Sequence, residues 1–170
     1  MAKRTLNAAI DELMKNYESA LKEAVEYASN EAVKDIYKQS MSCLEDYYDS
    51  YEPTIYDRTD YLWHAILPYA EEIKHTKDGI MSRVGVAYDP SQLDNVYYGS
   101  TKYRPVDGAW VLENYLSGIH PATDGGEFYY ENIDPVSPTQ TMNDYLNNYA
   151  TTTFHNNILV SFAKQIARMK

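Results

Sequence analysis

Proline and glycine are missing from both ends of the chain. All seven prolines lie between Pro53 and Pro138, and all seven glycines lie between Gly79 and Gly126. Because proline removes a backbone donor and glycine raises the entropic cost of ordering the backbone, both residues interrupt regular helices. Their distribution predicts a helical head, a turn-rich middle and a helical tail.

Cysteine and long apolar runs are also scarce. The single cysteine, Cys43, excludes a disulfide within the chain and fits a reducing compartment. No apolar run approaches the ~20 residues of a membrane span, so we expect no membrane partner. The basic residues near Met1 are not followed by an apolar segment, so we expect no secretory signal.

Positive charge is sparse and unevenly placed. The formal net charge is −10, yet the last segment, 139–170, holds three basic residues and one acidic residue. Binding to nucleic acid by counterion release needs clustered lysine and arginine, and the sequence has no such cluster. The acidity indicates either simple solubility or a surface that lets DNA pass nearby without specific binding.

The head has the spacing of one long helix from about Thr5 to Tyr48. Apolar residues recur mostly at three- or four-residue steps, which forms a single stripe, and we expect this stripe to pack in the core. Asn30 could cap a second helix, which would divide the head into two shorter helices. The stripe comprises Leu6, Ile10, Leu13, Tyr17, Leu21, Ala24, Ala28, Ala32, Ile36, Met41, Leu44 and Tyr48.

The middle contains short elements separated by turn signals. Asp107 and Gly118 stand where the N-cap and the C′ glycine of a helix belong, and Val106 and Val111 are placed as a hydrophobic staple. The alternation after Gly79 predicts a strand. The expected elements are a short helix or turn over 59–70, a strand over 79–88 ended by Asp89-Pro90, a short strand over 96–99, a helix over 108–117, a loop over 118–126 and a short strand over 128–130.

The tail begins with a helix-start signal. Ser137, Pro138 and Gln140 form a capping box with proline at the first helical position. The β-branched run Thr151 to Thr153 predicts a weak point in this helix. Together the segments predict one α+β domain over 1–170, with a helical arm over 1–50, a β-containing body over 51–137 and a C-terminal helix over 138–170. The body holds a small antiparallel sheet with a short helix.

Residue patterns for catalysis are weak. No histidine has another histidine or the cysteine at helical ligand spacing, so we expect no metal site and no cofactor. Glu45 and Asp46 beside Cys43 would raise the pKa of its thiol, which opposes nucleophilic reactivity. We therefore expect no catalytic residue and no enzyme. A third-ranked alternative is a small metal-dependent hydrolase built on His120 and Asp124, which share a glycine-rich loop.

A tyrosine-rich junction follows the head. Tyrosine supplies 18 aromatic residues, against three phenylalanines and two tryptophans, and it is enriched at interfaces. Proline at position 53 stops the helix and forces the residue before it towards extended geometry. The residues that we predict to form an interface are Tyr47, Tyr48, Tyr51, Pro53, Tyr56, Arg58, Thr59, Tyr61 and Leu62.

The junction sequence resembles a family motif. Residues 51–62, YEPTIYDRTDYL, are similar to Tyr-x-Pro-x-x-Tyr-x-Arg-Thr-Gly-x-Leu in the head–tail joining or tail-completion (minor tail component) family of tailed phages. Asp60 stands where that family usually has glycine. A looser likeness covers the short helix after Asp107 and the loop containing His120, and the order of elements agrees over most of the chain.

This resemblance implies a virion structural protein at the head–tail junction, or neck, of a bacteriophage. The implied partners are further copies in a homo-oligomeric ring and other neck and tail proteins, namely the connector, the tail terminator and the tail tube. Its localisation would be the virion, assembled in the host cytoplasm. The alternative is a non-enzymatic protein-interaction module, such as a phage or host regulatory protein, that uses its tyrosine surface to bind one partner.

Overall fold

A computed structural model describes residues 2–49, 62–77, 79–93, 107–118, 120–124, 127–131 and 137–169. For 2–5, 120–124 and 127–131 the backbone alone is described. The protein is helix-rich and of the α+β class, with a long N-terminal helix, small antiparallel two-stranded sheets and a long C-terminal helical segment. The predicted fold class is confirmed.

Helix α1 runs without interruption over Ala2–Asp49. At ~1.5 Å per residue this helix is about 72 Å long. Asn30 lies inside it and is exposed, so the chain has one head helix rather than two. The absence of proline and glycine from this segment allows the continuous backbone hydrogen bonding that such a length requires.

Helix α2, Leu62–Ala65, is a single turn that leads directly into strand β1, Ile66–Ala70. The sequence predicts a short helix or turn over 59–70 with its end disturbed by Pro68, and residues 59–61 lie outside the described residues. Instead Pro68 lies within β1, and the backbone at Ala65 accepts a hydrogen bond from the N–H of Asp89 at 2.8 Å. Strand pairing therefore replaces the helix.

The strand predicted over 79–88 is two strands. β2, Lys74–Thr76, pairs antiparallel with β3, Gly79–Met81, whereas β4, Val84–Tyr88, pairs with β1. The predicted strand is interrupted at Ser82 and Arg83, because its first half pairs with β2 and its second half pairs with β1. Asp89 ends β4 as predicted: its carboxylate accepts from the N–H of Ser91 at 3.0 Å and caps a 3₁₀ turn over Pro90–Gln92.

Helix α3, Gly108–Ser117, has the predicted ends. The Asp107 carboxylate accepts from the Ala109 N–H at 2.9 Å. Gly118 adopts φ 69°, the left-handed conformation that closes a helix without a Cβ clash. Val106 of the predicted staple lies outside the described residues, as does the strand expected over 96–99.

The segment after α3 was expected to be a loop, and this expectation is wrong for five of its residues. β5, His120–Asp124, pairs antiparallel with β6, Glu127–Glu131, in register from His120 opposite Glu131 to Asp124 opposite Glu127. Cross-strand pairing overrides the loop-like composition. The short strand predicted over 128–130 is confirmed as the centre of β6.

The C-terminal helical segment consists of α4, Pro138–Tyr149, a π-helical turn over Ala150–Phe154, and α5, His155–Arg168. The π turn lies at the predicted weak point. The hydroxyls of Thr151 and Thr152 donate to the Asn148 carbonyl oxygen at 3.2 and 2.7 Å, and such bonds compete with the regular helical pattern.

Ser137 and Thr139 connect the start of α4 with the end of α3. Both hydroxyls donate to the carbonyl oxygen of Leu116, at 2.8 and 2.9 Å. Carbonyl groups in the last turn of a helix lack intrahelical partners. The start of α4 therefore supplies hydrogen-bond donors to a carbonyl group at the end of α3.

The chain divides into two compact units. Unit 1 comprises Met1–Val33, Ala70–Val84 and Asn148–Lys170, and unit 2 comprises Lys34–Tyr69 and Gly85–Asn147. Each unit thus takes one part of α1. The prediction of one domain with arm, body and tail stays a prediction.

Unit 1 has a buried face of small residues on α1. In unit 1, the hydroxyls of Ser29 and Ser82 form a 2.7 Å hydrogen bond. The rings of Tyr17 and Phe162, also in unit 1, make a tilted contact with centroids 6.3 Å apart. Small side chains let neighbouring backbones approach closely. The buried residues of this face are Ala20, Ala24, Val25, Ala28, Ser29 and Ala32.

Unit 2 contains the principal core. The end of α1, α2, the start of β1 and α3 contribute buried side chains that contact one another, and half-buried aromatic residues cover them. The hydroxyl of Ser40 in α1 donates a hydrogen bond to the sulfur of Met142 in α4 at 3.5 Å. The buried residues of this core are Leu44, Tyr47, Leu62, Ala65, Ile66, Leu93, Leu112 and Tyr115.

Candidate interaction surface

The aromatic residues around the junction pack inside unit 2. The rings of Tyr47 and Tyr115 meet edge to face, with centroids 5.0 Å apart. Tyr48 stacks on Trp63 at 6.3 Å and lies 6.0 Å from the Tyr47 ring. Aromatic pairs of this geometry add about 0.5–1.5 kcal/mol beyond their area burial. These contacts join the end of α1 to α2 and α3.

The structure locates three of the nine predicted interface residues. Tyr47 and Leu62 are buried in the core of unit 2, and Tyr48 is half-buried against it. Burial gives Tyr47 and Leu62 a packing role inside the unit. Tyr51, Pro53, Tyr56, Arg58, Thr59 and Tyr61 lie outside the described residues, so the interface at the junction stays a prediction.

The phenols of Tyr88 and Tyr115 in unit 2 are held in their neutral forms. Burial raises the pKa of the Tyr115 phenol, and the neighbouring Tyr88 raises it further. Burial likewise raises the pKa of Tyr88, against a lowering by a hydrogen bond with Ser40. The core therefore excludes charge.

Cys43 is a buried free cysteine whose pKa is raised. Burial is the largest cause that raises its pKa, and Asp46 raises it further, whereas a side-chain hydrogen bond with Gln39 lowers it. The predicted effect of Asp46 is confirmed in direction. Because the thiolate is the nucleophilic form, the raised pKa of Cys43 disfavours nucleophilic reactivity.

No metal-binding group is present in the part of the chain whose side chains are described. There, no three His, Cys, Asp or Glu side chains come together as ligands for an ion. The His120 side chain lies outside the description, so the hydrolase alternative stays untested. Over the same described segments, no helix is both long enough and apolar enough to cross a membrane.

The first third of α1 carries an uncovered apolar stripe. Leu6, Ile10, Leu13 and Met14 are 62%, 49%, 53% and 57% exposed. Their three- and four-residue spacing places them on one face of the helix. Side chains of this type gain about 1.5–3 kcal/mol each on burial. We call these four residues, together with Tyr17 and Leu21, the α1 stripe.

The α1 stripe continues the buried face of unit 1. Ala20, Ala24 and Ala28 extend the same helical spacing and are 0–1% exposed. The face therefore changes from large exposed residues to small buried ones along one helix. This change corrects the expectation that the whole stripe packs in the core.

The change in side-chain size is the signal that could have located the exposed part. Alanines occur where the α1 face is covered in unit 1, and leucine, isoleucine and methionine occur where it is uncovered. Helical periodicity alone cannot separate the two parts, because both have the same spacing.

Acidic side chains lie along one edge of the α1 stripe. On a helical projection at 3.6 residues per turn, Asp11 and Glu18 are next to this edge, whereas Glu12 and Glu23 lie farther round the helix on the other side. All four are exposed. Lys22 and Lys15 lie farther from the stripe than Asp11 and Glu18, on the same side of the helix. A partner for the stripe should therefore carry positive charge beside an apolar surface.

Helix α5 carries a second exposed apolar face in unit 1. Leu159 and Val160 are 52% and 54% exposed, and Ala163 and Ala167 continue the face with small exposed side chains. Lys164 and the nearby Arg168 are exposed along one edge. The opposite face, which includes Phe162, packs in unit 1.

Comparisons with known proteins identify no relative of this chain. No protein-family model matches the chain, and no curated protein or solved structure matches it at a significant level. Function is therefore inferred from the sequence and from the exposed surfaces described above.

Proposed function

We propose that the protein is a virion structural protein at the head–tail junction of a tailed phage, where it acts as a tail-completion or head–tail joining subunit in a ring. Its role is assembly rather than catalysis. The observation that carries this proposal is the α1 stripe, because an isolated subunit would leave four large apolar side chains on one helix exposed. An assembly subunit would bury them against another protein.

The sequence supports the same function in two ways. The segment 51–62 resembles the motif of the head–tail joining family. The net charge of −10 suits a protein past which DNA moves without adhering. The partners in this proposal are other copies of the chain and the connector, tail terminator and tail tube proteins, and the localisation is the virion.

Deletion of the coding sequence from the phage or prophage genome that carries it tests this function. Electron microscopy of the resulting lysate should show filled heads and separate tails, and few joined particles. A wild-type copy supplied in trans should restore joining, and mass spectrometry should find the chain in purified particles. Normal particle yield without the gene, together with absence of the chain from particles, would contradict the proposal.

An interaction module that binds one unrelated protein is the second candidate. The observation that favours it is the same α1 stripe, since an amphipathic helix face is also a common recognition element for a single partner. Neighbouring genes separate the two candidates. Portal, capsid and tail genes beside this one favour a virion protein, and their absence favours the interaction module.

A further inference from the structure

Two apolar faces in unit 1 differ in side-chain size. The α1 stripe projects large side chains, among them Leu6, Ile10 and Leu13. The exposed face of α5 holds Leu159 and Val160 followed by the small residues Ala163 and Ala167. Large side chains pack well against a helix face whose small residues leave space between the turns.

The charges at the edges of these faces are of opposite sign. The exposed carboxylates of Asp11 and Glu18 border the α1 stripe along one edge, whereas Lys164 and Arg168 border the α5 face along one edge. The segment His155–Arg168 contains no acidic residue. Pairing the α1 stripe with the α5 face so that these two edges meet would place carboxylates beside cations, whereas pairing two copies of either face along its charged edge would place like charges together.

From this complementarity we infer that the occupant of the α1 stripe is the exposed α5 face of a second copy of the chain. Each copy then offers the stripe to one neighbour and the α5 face to another. Such a head-to-tail contact is heterologous, and it generates a ring when its rotation closes. The choice of a second copy as the occupant rests on the proposed function, whose ring it provides with a pair of surfaces.

Two single-face variants test this contact. Leu13→Glu places a charge in the α1 stripe, and Val160→Glu places one in the α5 face. Both positions are exposed in the subunit, so each variant should keep the circular dichroism spectrum and thermal midpoint of the wild type. Ser19→Glu, at an exposed position on the other side of α1, is the matched control.

Analytical ultracentrifugation over a concentration series provides the readout. Wild type and Ser19→Glu should form oligomers, and each single-face variant should associate at least tenfold more weakly. An equimolar mixture of the two variants should form dimers and no larger species, because one intact stripe and one intact α5 face remain per pair. Self-association of Val160→Glu at wild-type strength, or a mixture that stays monomeric, would overturn the inference.

Cross-linking keeps the inference testable if a glutamate variant misfolds. A Leu13→Cys copy and a Val160→Cys copy, mixed and mildly oxidised, should form a disulfide-linked heterodimer. The native Cys43 is 3% exposed and does not compete. Disulfide formation within either variant alone at an equal yield, with none between the two, would contradict the contact.

The outcomes also separate this inference from the proposed function. A wild-type chain that is monomeric at high concentration but present in purified particles would overturn the α1–α5 contact and leave the neck function standing. A chain that assembles through this contact, yet is absent from particles and dispensable for joining heads to tails, would support the contact and overturn the neck function.

Discussion

The ring of Tyr47, near the end of the head helix, meets the ring of Tyr115 in α3 edge to face at a centroid distance of 5.0 Å. This pair ties two segments that lie far apart in the sequence into the core of unit 2. Tyr115 is 1% exposed, so nearly all of its side chain contacts other protein atoms rather than water. The stability of unit 2 should therefore depend strongly on this residue.

Replacement of Tyr115 by alanine should destabilise the protein by about 3–5 kcal/mol, because it removes a buried aromatic ring and leaves a cavity. Tyr115→Phe should cost less, since the ring remains. Urea unfolding followed by circular dichroism measures both changes. Tyr27→Ala, at a 52% exposed tyrosine of α1, is the control, and a Tyr115→Ala loss no larger than that of this control would refute the packing role.

Stability should fall as the solution becomes alkaline. The folded pKa of Tyr115 is raised above its ordinary value of 10.0, so in alkaline solution the unfolded chain loses this proton before the folded chain does. Its contribution is complete below pH 10 and is lost as the pH rises from there, with a slope of up to about 1.4 kcal/mol per pH unit.

The measurement is the free energy of unfolding in urea at several pH values between 8 and about 11. Tyr115→Phe should show a shallower decline than the wild type, because phenylalanine has no proton to lose. Equal slopes for the two proteins would show that the Tyr115 phenol titrates normally in the folded state.

Loss of the Asp107 cap should weaken α3. Asp107→Ala removes the acceptor of the 2.9 Å hydrogen bond from the Ala109 N–H, at an expected cost of about 0.5–2 kcal/mol. Asp107→Asn keeps a capping oxygen and should retain most of the stability. The comparison uses urea midpoints, and equal losses for the two substitutions would argue against a capping role.

The buried alanine face of α1 should reject larger residues. Ala24 is 0% exposed, and Ala24→Leu should destabilise unit 1 by about 1–3 kcal/mol through overpacking. Ala9→Leu, at an exposed position of the same helix, should leave stability within about 0.5 kcal/mol. Differential scanning calorimetry would measure both, and tolerance of Ala24→Leu would show that the face is loosely packed.

Local chemistry made several elements predictable. The head helix follows from the absence of proline and glycine, and α3 follows from the capping oxygen of Asp107 and the left-handed Gly118. The weak point at Thr151 to Thr153 became a π turn, because threonine hydroxyls bond the backbone one turn earlier. Each of these features depends on interactions within a few residues of the chain.

The strands were less predictable because composition and alternation do not show which segments pair. Residues 79–88 alternate as one strand, yet the first half pairs with β2 and the second half with β1. The segment His120–Asp124 has the composition of a loop and forms a strand opposite β6. Cross-strand pairing outweighs composition in both cases, with a neighbouring strand for β3 and β5 and with a more distant strand for β4.

For the candidate surface too, some properties follow from the sequence and others depend on the tertiary structure. Amino-acid order alone established the helical head with its apolar stripe, the caps of α3 and the charge asymmetry of the tail, because these properties arise from near neighbours. Tertiary structure decided that Ala24 is covered while Leu13 is exposed, and that Tyr47 lies in a core. Periodicity places side chains on a face, but only the packing of distant segments determines which part of that face is removed from water.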